Sequence, residues 1–437
     1  MLVKVDRALP LDVLQRIALW LVDATTCFAF LEALGSPADR GSLESLWQLG
    51  LTIDRDSLWP DLYLDHLDHH TPQEHIRAVL PYYTQVYISG SYDIAWLRAN
   101  LPSSMEIVWF NPPHLADMVQ DSSLSDWYAS WAMLPVVEVT LCHVSDDAMY
   151  LLDPVLPQMA CLKSLHIHSH SPIDSILAFA ASSSTLLELK LEAWLEIPGI
   201  DDGLVAYLMA WLQRLPVRTL CLSCFYWDAV TRDTKTDFCN AVLSHPTLSQ
   251  LKLPDLDMSD LDKMPHPLPK LQTLALQTLQ VPCVLQLFAS PVVSLSLTGF
   301  DMPDASTVDL VFQALVRNHH LKSLTFKGTT LDERQWRHIV AYLPDIQLQA
   351  LSWWYNCELT DEVVLLLADA LKQNRSLRCC WFHTTIISTT AATTLLASVR
   401  SGVMKYIGFK LPLGTSRAQK NEIELFAATC GVRVRFE

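Results

Sequence analysis

The sequence contains little glycine, and this shortage excludes one class of function. Only 12 of its 437 residues are glycine, whereas glycine makes up roughly 7% of average proteins. Loops that cradle phosphate groups need glycines for positive φ angles and for close approach of the backbone. Neither a GxGxxG nor a GxxxxGK(S/T) motif is present, so we expect no nucleotide-binding chemistry of these types.

Basic residues are also scarce. The chain has 31 Lys and Arg against 47 Asp and Glu, which gives a net charge of −16, and no segment is rich in Lys or Arg. Nucleic acids and anionic membranes are recognised through basic surfaces. We therefore expect neither a nucleic acid nor a membrane among the partners.

Long apolar runs are missing, and the cysteines form no framework. The longest apolar stretches, such as residues 363–367, are far shorter than the ~20 residues that span a bilayer. Charged residues and a proline interrupt the apolar N-terminal stretch, which excludes a continuous secretory signal. The 11 cysteines are scattered, unlike those of a disulfide scaffold. These features predict a cytoplasmic and/or nuclear protein.

Leucine, by contrast, is abundant, with 74 copies, and it follows a repeat. The repeat is a six-residue pattern with apolar residues at its first, fourth and sixth positions. It recurs at intervals of 21 to 31 residues. The clear copies begin at Leu162, Leu186, Val217, Leu248, Leu271, Val292, Leu321, Leu348 and Leu377. Weaker copies begin at Tyr83, Met105 and Val136, and a last one lies around residues 404–409.

Each copy predicts a short strand with one buried face, because its apolar residues alternate. Several linking segments predict amphipathic helices. Residues 360–374 have Thr360 as a plausible N-cap, and residues 306–318 have Ser306 and Asp309 at capping-box spacing. The copies that begin at Leu248 and Leu271 are followed by several prolines, which favour loops or single 3₁₀ turns there.

The repeat resembles the leucine-rich-repeat family, in the longer class whose strands alternate with full helices, as in ribonuclease-inhibitor-like proteins. The resemblance implies an α/β solenoid, with a curved parallel sheet and outer helices, over residues 81–437 including a C-terminal cap. Family repeats place Asn or Cys three positions after the third apolar residue, and only Asn356 matches here. The alternative is a set of unrelated apolar strands in an α/β domain.

The first fifty residues do not follow the repeat. Two or three short helices with apolar faces are predicted there, and so few residues cannot bury much surface alone. The series resembles the F-box, an all-α domain. The resemblance implies that this domain binds a Skp1-like adaptor, which in turn binds a cullin. The residues that it implies for packing the domain and contacting the adaptor are Leu9, Pro10, Val13, Leu14, Ile17, Leu21, Phe28, Leu31 and Trp47.

This interpretation divides the chain into an F-box-like domain at 1–50, a connecting segment at 51–80 and the solenoid at 81–437. Residues 31–40 depart from the family pattern, since they are acidic and contain Pro and Gly. The alternative for the N-terminal segment is an amphipathic helix that caps the solenoid.

Signatures of catalysis are missing, apart from a small group of histidines. There is no HExxH or GxSxG motif, and the single CxxC at Cys221 and Cys224 has no second pair. His166 and His168 fall on one face of a predicted strand, close enough to share a metal. We favour the alternative that they are exposed polar positions on the sheet. A metal-dependent hydrolase would require stoichiometric zinc in the purified protein.

The face of the sheet opposite the leucines is the predicted binding surface. Trp354 and Trp381 fall at nearly equivalent positions of neighbouring strands, and exposed Trp often supplies binding energy. Trp109 and Tyr87 could form a second patch, and a loop that covers these rings is the alternative. The candidate substrate-binding residues are Trp354, Trp381, His383, Lys327, His166 and His168.

The two resemblances together indicate a protein that binds and does no bond chemistry, without a metal or other cofactor. They imply the substrate-recognition subunit of a Skp1–cullin–F-box E3 ubiquitin ligase, which presents a protein substrate on the repeat surface. Arginine is scarce on the predicted face, which argues against recognition of phosphate. The alternative function is a leucine-rich-repeat scaffold or inhibitor without a link to a ligase.

Overall fold

The computed structural model describes the chain except for residues 1–10, 68–71, 114–123, 145, 170–172, 194–197, 215, 261–267, 269, 356–358, 400–402 and 437. The chain divides into two compact units, Met1–Leu189 and Lys190–Glu437. None of the described helices is both long and apolar enough to cross a bilayer.

The first unit begins with helices and continues with alternating strands and helices. Its helices are α1 (Leu11–Leu19), α2 (Ala24–Leu34), α3 (Pro37–Arg40), α4 (Glu44–Leu49), α5 (Gln73–Val79), α6 (Ile94–Asn100), α7 (Leu124–Ala132), α8 (Asp146–Leu152) and α9 (Asp174–Ser182). Its strands are β1 (Leu62–Tyr63), β2 (Gln85–Ser89), β3 (Glu106–Phe110), β4 (Val136–Val144) and β5 (Ser164–Ser169), and β6 (Glu188–Ala193) contains the boundary between the units.

Strands β1 to β5 pair in parallel and in chain order. The weak copies of the repeat at Tyr83, Met105 and Val136 form β2, β3 and β4, and the copy at Leu162 forms β5. The predicted strands are therefore confirmed in this unit. Strand β1 was not predicted, because two residues cannot display a period, and it lies within the segment 51–80.

The N-terminal helices pack against the residues that follow them in sequence. The indole N–H of Trp59 donates a hydrogen bond to the carbonyl oxygen of Leu21 at 2.7 Å. The Arg55 guanidinium lies over the Phe28 ring, 4.9 Å from its centroid, and the same ring fills the space in front of Gly50. Residues 11–50 are thus continuous with residues 51–59 in one compact unit. The boundaries at 50 and 80 stay a prediction.

The second unit contains the strands β7 (Gly199–Asp201), β8 (Thr219–Ser223), β9 (Tyr226–Ala229), β10 (Gln250–Asp257), β11 (Thr273–Gln277), β12 (Ser294–Thr298), β13 (Ser323–Lys327), β14 (Ala350–Trp354), β15 (Cys379–Ile386), β16 (Tyr406–Lys410) and β17 (Arg433–Phe436). Its helices are α10 (Asp202–Arg214), α11 (Arg232–Leu243), α12 (Val281–Phe288), α13 (Ala305–Arg317), α14 (Glu333–Tyr342), α15 (Asp361–Gln373), α16 (Thr389–Ser398) and α17 (Arg417–Thr429).

A long parallel sheet, β8-β10-β11-β12-β13-β14-β15-β16-β17, organises this unit. Equivalent repeat positions align, so that Leu274, Leu295 and Leu324 are register partners in turn. The leucine side is buried against the helices, as the contact between Trp336 of α14 and Trp353 of β14 shows, with ring centroids 5.0 Å apart. The predicted α/β fold with parallel strands is confirmed. We call the opposite side of this sheet the polar face.

Left-handed residues follow several strands directly. Thr278, Gly299, Gly328 and Tyr355 come one residue after β11, β12, β13 and β14, with φ angles of 50°, 60°, 68° and 61°. The amide of Gly299 donates to the carbonyl oxygen of Lys327 at 2.7 Å, and that of Gly328 donates to Trp354 at 2.8 Å. Two of the scarce glycines therefore end strands where positive φ is needed.

Buried asparagines stabilise the turn before two strands. Asn374 donates its amide to the carbonyl oxygens of Leu343 and Ile346 at 2.6 and 2.9 Å. Its oxygen accepts from the backbone N–H groups of Ser376 and Leu377 at 2.9 and 2.7 Å. Asn318 plays the same role two repeats earlier. The family pattern predicted such a residue after the strand, at Asn356, which lies outside the described residues.

Details of several elements differ from the sequence-based expectation. Thr360 caps α15 as predicted, but α13 is capped by Asp304 rather than Ser306, whose hydroxyl donates to the Asp304 carboxylate. The copy at Leu271 is followed by the helix α12, because Pro282 occupies its first turn, where no backbone donor is needed. Strands β7, β9 and β17 were not predicted.

Candidate functional site

Four predicted substrate-binding residues form one continuous row on the polar face of the second unit. The rings of Trp354 and His383 are stacked with centroids 3.4 Å apart, and those of His383 and Trp381 are stacked at 5.5 Å. The Lys327 ammonium lies 5.6 Å from the centroid of the Trp354 ring. We call Lys327, Trp354, His383 and Trp381 the aromatic row. All four side chains are partly exposed, so no described loop covers them completely.

The row follows from the register of the sheet. Lys327, Trp354 and His383 are successive register partners on β13, β14 and β15. Trp381 pairs with Gly408 of β16, and a Cβ at Gly408 would lie 2.0 Å from the indole of Trp381. The missing side chain therefore lets the indole lie flat over the next strand.

Beyond Gly408 the polar face becomes basic. Arg433 and Arg435 on β17 are register partners of Tyr406 and Gly408. Arg433 donates to the Tyr406 hydroxyl at 3.2 Å, and its guanidinium carbon is 5.6 Å from the centroid of that ring. The sequence does not reveal these cations as part of the face, because β17 lacks the repeat pattern. The only available signal is the alternation of Arg433, Val434, Arg435 and Phe436.

On the other side of the row, Lys327 lies near a half-buried carboxylate. Burial raises the pKa of Asp255, against the lowering effects of the backbone N–H groups of Cys224 and Phe225 and of the Lys327 charge. The row is therefore not electrostatically uniform. Asp255 of β10 offsets the charge of Lys327 on one side, whereas strands β13–β17 contain no Asp or Glu.

The second predicted aromatic patch is wrong in one of its members. Trp109 is fully buried, and its indole N–H donates to the carbonyl oxygen of Gly90 at 3.0 Å. Tyr87 is instead stacked with Tyr63 at 5.0 Å and with Phe110 at 6.3 Å between centroids. The copy that begins at Met105 assigns Val108 and Phe110 to the core, but Ile107 and Trp109 are the register partners of the buried Val86 and Ile88 of β2. The buried face of β3 is therefore shifted by one residue from the predicted one, and Trp109 lies in the core.

Carboxylates surround this second set of rings. Burial raises the pKa of the Tyr87 hydroxyl, and the charges of Asp61 and Glu138 raise it further. His66 stacks on Tyr63 with centroids 5.6 Å apart. The first unit therefore presents an acidic aromatic surface, unlike the basic one of the second unit.

The remaining two candidate substrate-binding residues, His166 and His168, lie on β5 of the first unit. Their ring centroids are 4.4 Å apart, and both side chains are partly exposed. They pair in register with Thr140 and Cys142 of β4. Their predicted common face is confirmed by this geometry. Of the six candidate substrate-binding residues, four lie together in the second unit and two lie together in the first.

The residues predicted to contact an adaptor divide into packing and surface residues. Leu9 and Pro10 lie outside the described residues. Leu14, Phe28 and Leu31 are buried, so they pack the helices together. The side chains at the surface are Val13, Leu21 and Trp47, which are partly exposed, and Ile17, which is 36% exposed.

An exposed apolar surface lies at the end of α1, next to Ile17. Trp20 and Val22 are each 83% exposed, and Leu19 is also exposed. We call Ile17, Leu19, Trp20 and Val22 the helix-end patch. The residues that match the F-box pattern do not include Leu19, Trp20 or Val22, and for that reason the sequence alone does not single them out.

Comparison with known proteins adds no assignment. No protein-family model matches the chain. No curated protein matches it either.

Proposed function

We propose that the chain is the substrate-recognition subunit of a Skp1–cullin–F-box ubiquitin ligase, acting in the cytoplasm or nucleus. In this proposal the N-terminal helices bind a Skp1-like adaptor, which links the chain to a cullin. The polar face holds a protein substrate. The chain catalyses no reaction and raises the local concentration of its substrate near the ubiquitin-loaded enzyme.

The observation that carries the proposal is the helix-end patch. Trp20 and Val22 project almost fully into solvent from the segment that resembles the F-box. A tryptophan exposed to this degree beside other apolar residues is typical of a contact surface for a partner. The buried residues Phe28 and Leu31 hold the helices that display it.

The aromatic row supports the substrate-binding half of the proposal. Two indoles and an imidazole are partly exposed on a rigid sheet, where they lose little entropy on binding. Such preorganised aromatic surfaces are common centres of protein interfaces.

A pull-down with purified Skp1 tests the adaptor-binding half. The tagged full-length chain is expected to retain Skp1, and the double variant Trp20→Glu/Val22→Glu to retain about tenfold less, because charges replace the apolar contact. Point variants give a more specific test than deletion of residues 1–50. The deletion would also remove the contacts that Arg55 and Trp59 make with those helices.

Leu413→Glu is the matched control, because Leu413 is 93% exposed in the second unit. It should retain Skp1 like the unchanged chain, and circular dichroism should show that all variants are folded. If the unchanged chain does not bind Skp1, the ligase assignment is overturned and the scaffold or inhibitor function replaces it.

A further inference from the structure

The polar face of the second unit ends in a surface that is both aromatic and basic. We infer that this surface, on strands β13 to β17, binds an acidic segment of a protein. The inference rests on the proposed function and deepens it, since the segment belongs to the recruited substrate. The segment carries clustered carboxylates next to apolar residues.

The charge of these strands is opposite to that of the whole chain. Strands β13–β17 contain no Asp or Glu, although the chain has a net charge of −16. Their cations are Lys327, Lys410, Arg433 and Arg435. In the described part of the chain, no ion pair with a carboxylate involves any of the four. A local excess of positive charge on an acidic protein selects an anionic partner.

The cations lie beside the rings in a fixed order. Register places Arg435 beside Gly408, and Gly408 beside Trp381. Adjacent strands are about 4.8 Å apart, so the Cα atoms of Arg435 and Trp381 are separated by about 10 Å. Three or four residues of an extended peptide span that distance and could place a carboxylate at one end and an apolar side chain at the other.

The arginine donors are suited to carboxylates. Tyr406 accepts one hydrogen bond from Arg433 and holds its guanidinium against the ring, which reduces the entropy lost on binding. A guanidinium has five N–H donors, so Arg433 has donors beyond that one. Planar arginine forks bind carboxylates and phosphates through paired hydrogen bonds.

A peptide fits this surface better than a nucleic acid does. A polynucleotide places one charge at every step of its backbone and would meet the strong negative charge of the whole chain. A short acidic segment presents few charges and needs only the local cations.

Fluorescence anisotropy with labelled ten-residue peptides tests the inference. The probes are a peptide that alternates Glu with Leu, its Gln-for-Glu counterpart, its phosphoserine-for-Glu counterpart and an oligothymidine of ten nucleotides. The full-length chain should bind the Glu peptide about tenfold more tightly than the Gln peptide, and its affinity for the Glu peptide should fall as salt is raised. The phosphoserine peptide should bind no more tightly than the Glu peptide.

Two variants localise the site, and one serves as a control. Arg433→Ser/Arg435→Ser and Trp354→Ala/Trp381→Ala should each weaken binding of the Glu peptide by about tenfold. Lys372→Ser/Arg375→Ser removes the same charge from exposed positions at the end of α15 and in the residues after it, and should leave binding unchanged.

Four results would overturn the inference: equal binding of the Glu and Gln peptides, tighter binding of the phosphoserine peptide, equal loss in both charge variants, or tighter binding of the oligothymidine. None of them affects the Skp1 pull-down. Retention of Skp1 without acidic-peptide binding would leave the proposed function standing and reject this inference alone.

Discussion

Replacement of Trp353 by alanine is expected to lower the free energy of unfolding by about 3–5 kcal/mol. Trp353 is 1% exposed on the buried side of β14. Its ring is stacked between Phe326 and Phe382, with centroids 6.1 and 5.5 Å away, and it contacts Trp336 of α14. Truncation removes contacts to three repeats at once and leaves a cavity that the parallel strands cannot close.

Urea unfolding followed by circular dichroism measures this loss. Hydrogen exchange should show that the amides of β13, β14 and β15 lose protection first, because repeat arrays lose stability locally. Trp353→Phe is the matched control. The Trp353 indole N–H is buried without a hydrogen-bond partner among the described residues, so phenylalanine removes an unpaired donor as well as some volume. We expect a loss of about 1 kcal/mol for it. Equal losses in the two variants would contradict the role of the aromatic stack.

Asn374→Ala is expected to destabilise the second unit by about 2–4 kcal/mol. The Asn374 side chain is 3% exposed and bonds four backbone groups in the turn between α15 and β15. Alanine removes the side-chain partner of the Leu343 carbonyl and of the Ser376 and Leu377 amides, whereas the Ile346 carbonyl keeps the Ser376 hydroxyl as a donor. Unpaired buried groups are more damaging than the loss of one surface hydrogen bond.

The same urea experiment checks this effect against two comparisons. Asn318→Ala should show a loss of similar size, because it bonds the equivalent groups before β13. Asn240→Ala, at an exposed position of α11, should be neutral or slightly stabilising, since alanine favours helices. If Asn374→Ala behaves like Asn240→Ala, the turn does not depend on the side chain.

Periodicity predicted which residues enter the core of the second unit. Leu251, Leu295 and Leu324 are all buried at the positions that the repeat assigns to them. The prediction succeeds because alternation within a strand is a local property, and six residues are enough to display it. The same reasoning placed Trp354 and Trp381 on the polar face, where they form the aromatic row with His383.

Local patterns failed where pairing with a distant segment decides the outcome. Trp109 is buried because Ile107 and Trp109, rather than Val108 and Phe110, pair with the buried Val86 and Ile88 of β2. All four of these β3 residues are apolar, so the sequence of β3 does not reveal which of its faces is buried. The asparagines that bond the turns act before the strand, and their backbone partners lie about 30 residues earlier in the chain. The exposure of Trp20 likewise depends on which side of α1 the neighbouring helices cover.

The sequence by itself determined the parallel α/β repeat and the core leucines, because burial and chain geometry act over a few residues, and its glycine-poor composition argued against phosphate-binding loops. Only the tertiary structure decided that β17 brings Arg433 and Arg435 beside the aromatic row. The charge of a surface depends on which strands are neighbours. Pairing across a sheet joins residues that the sequence separates by whole repeats.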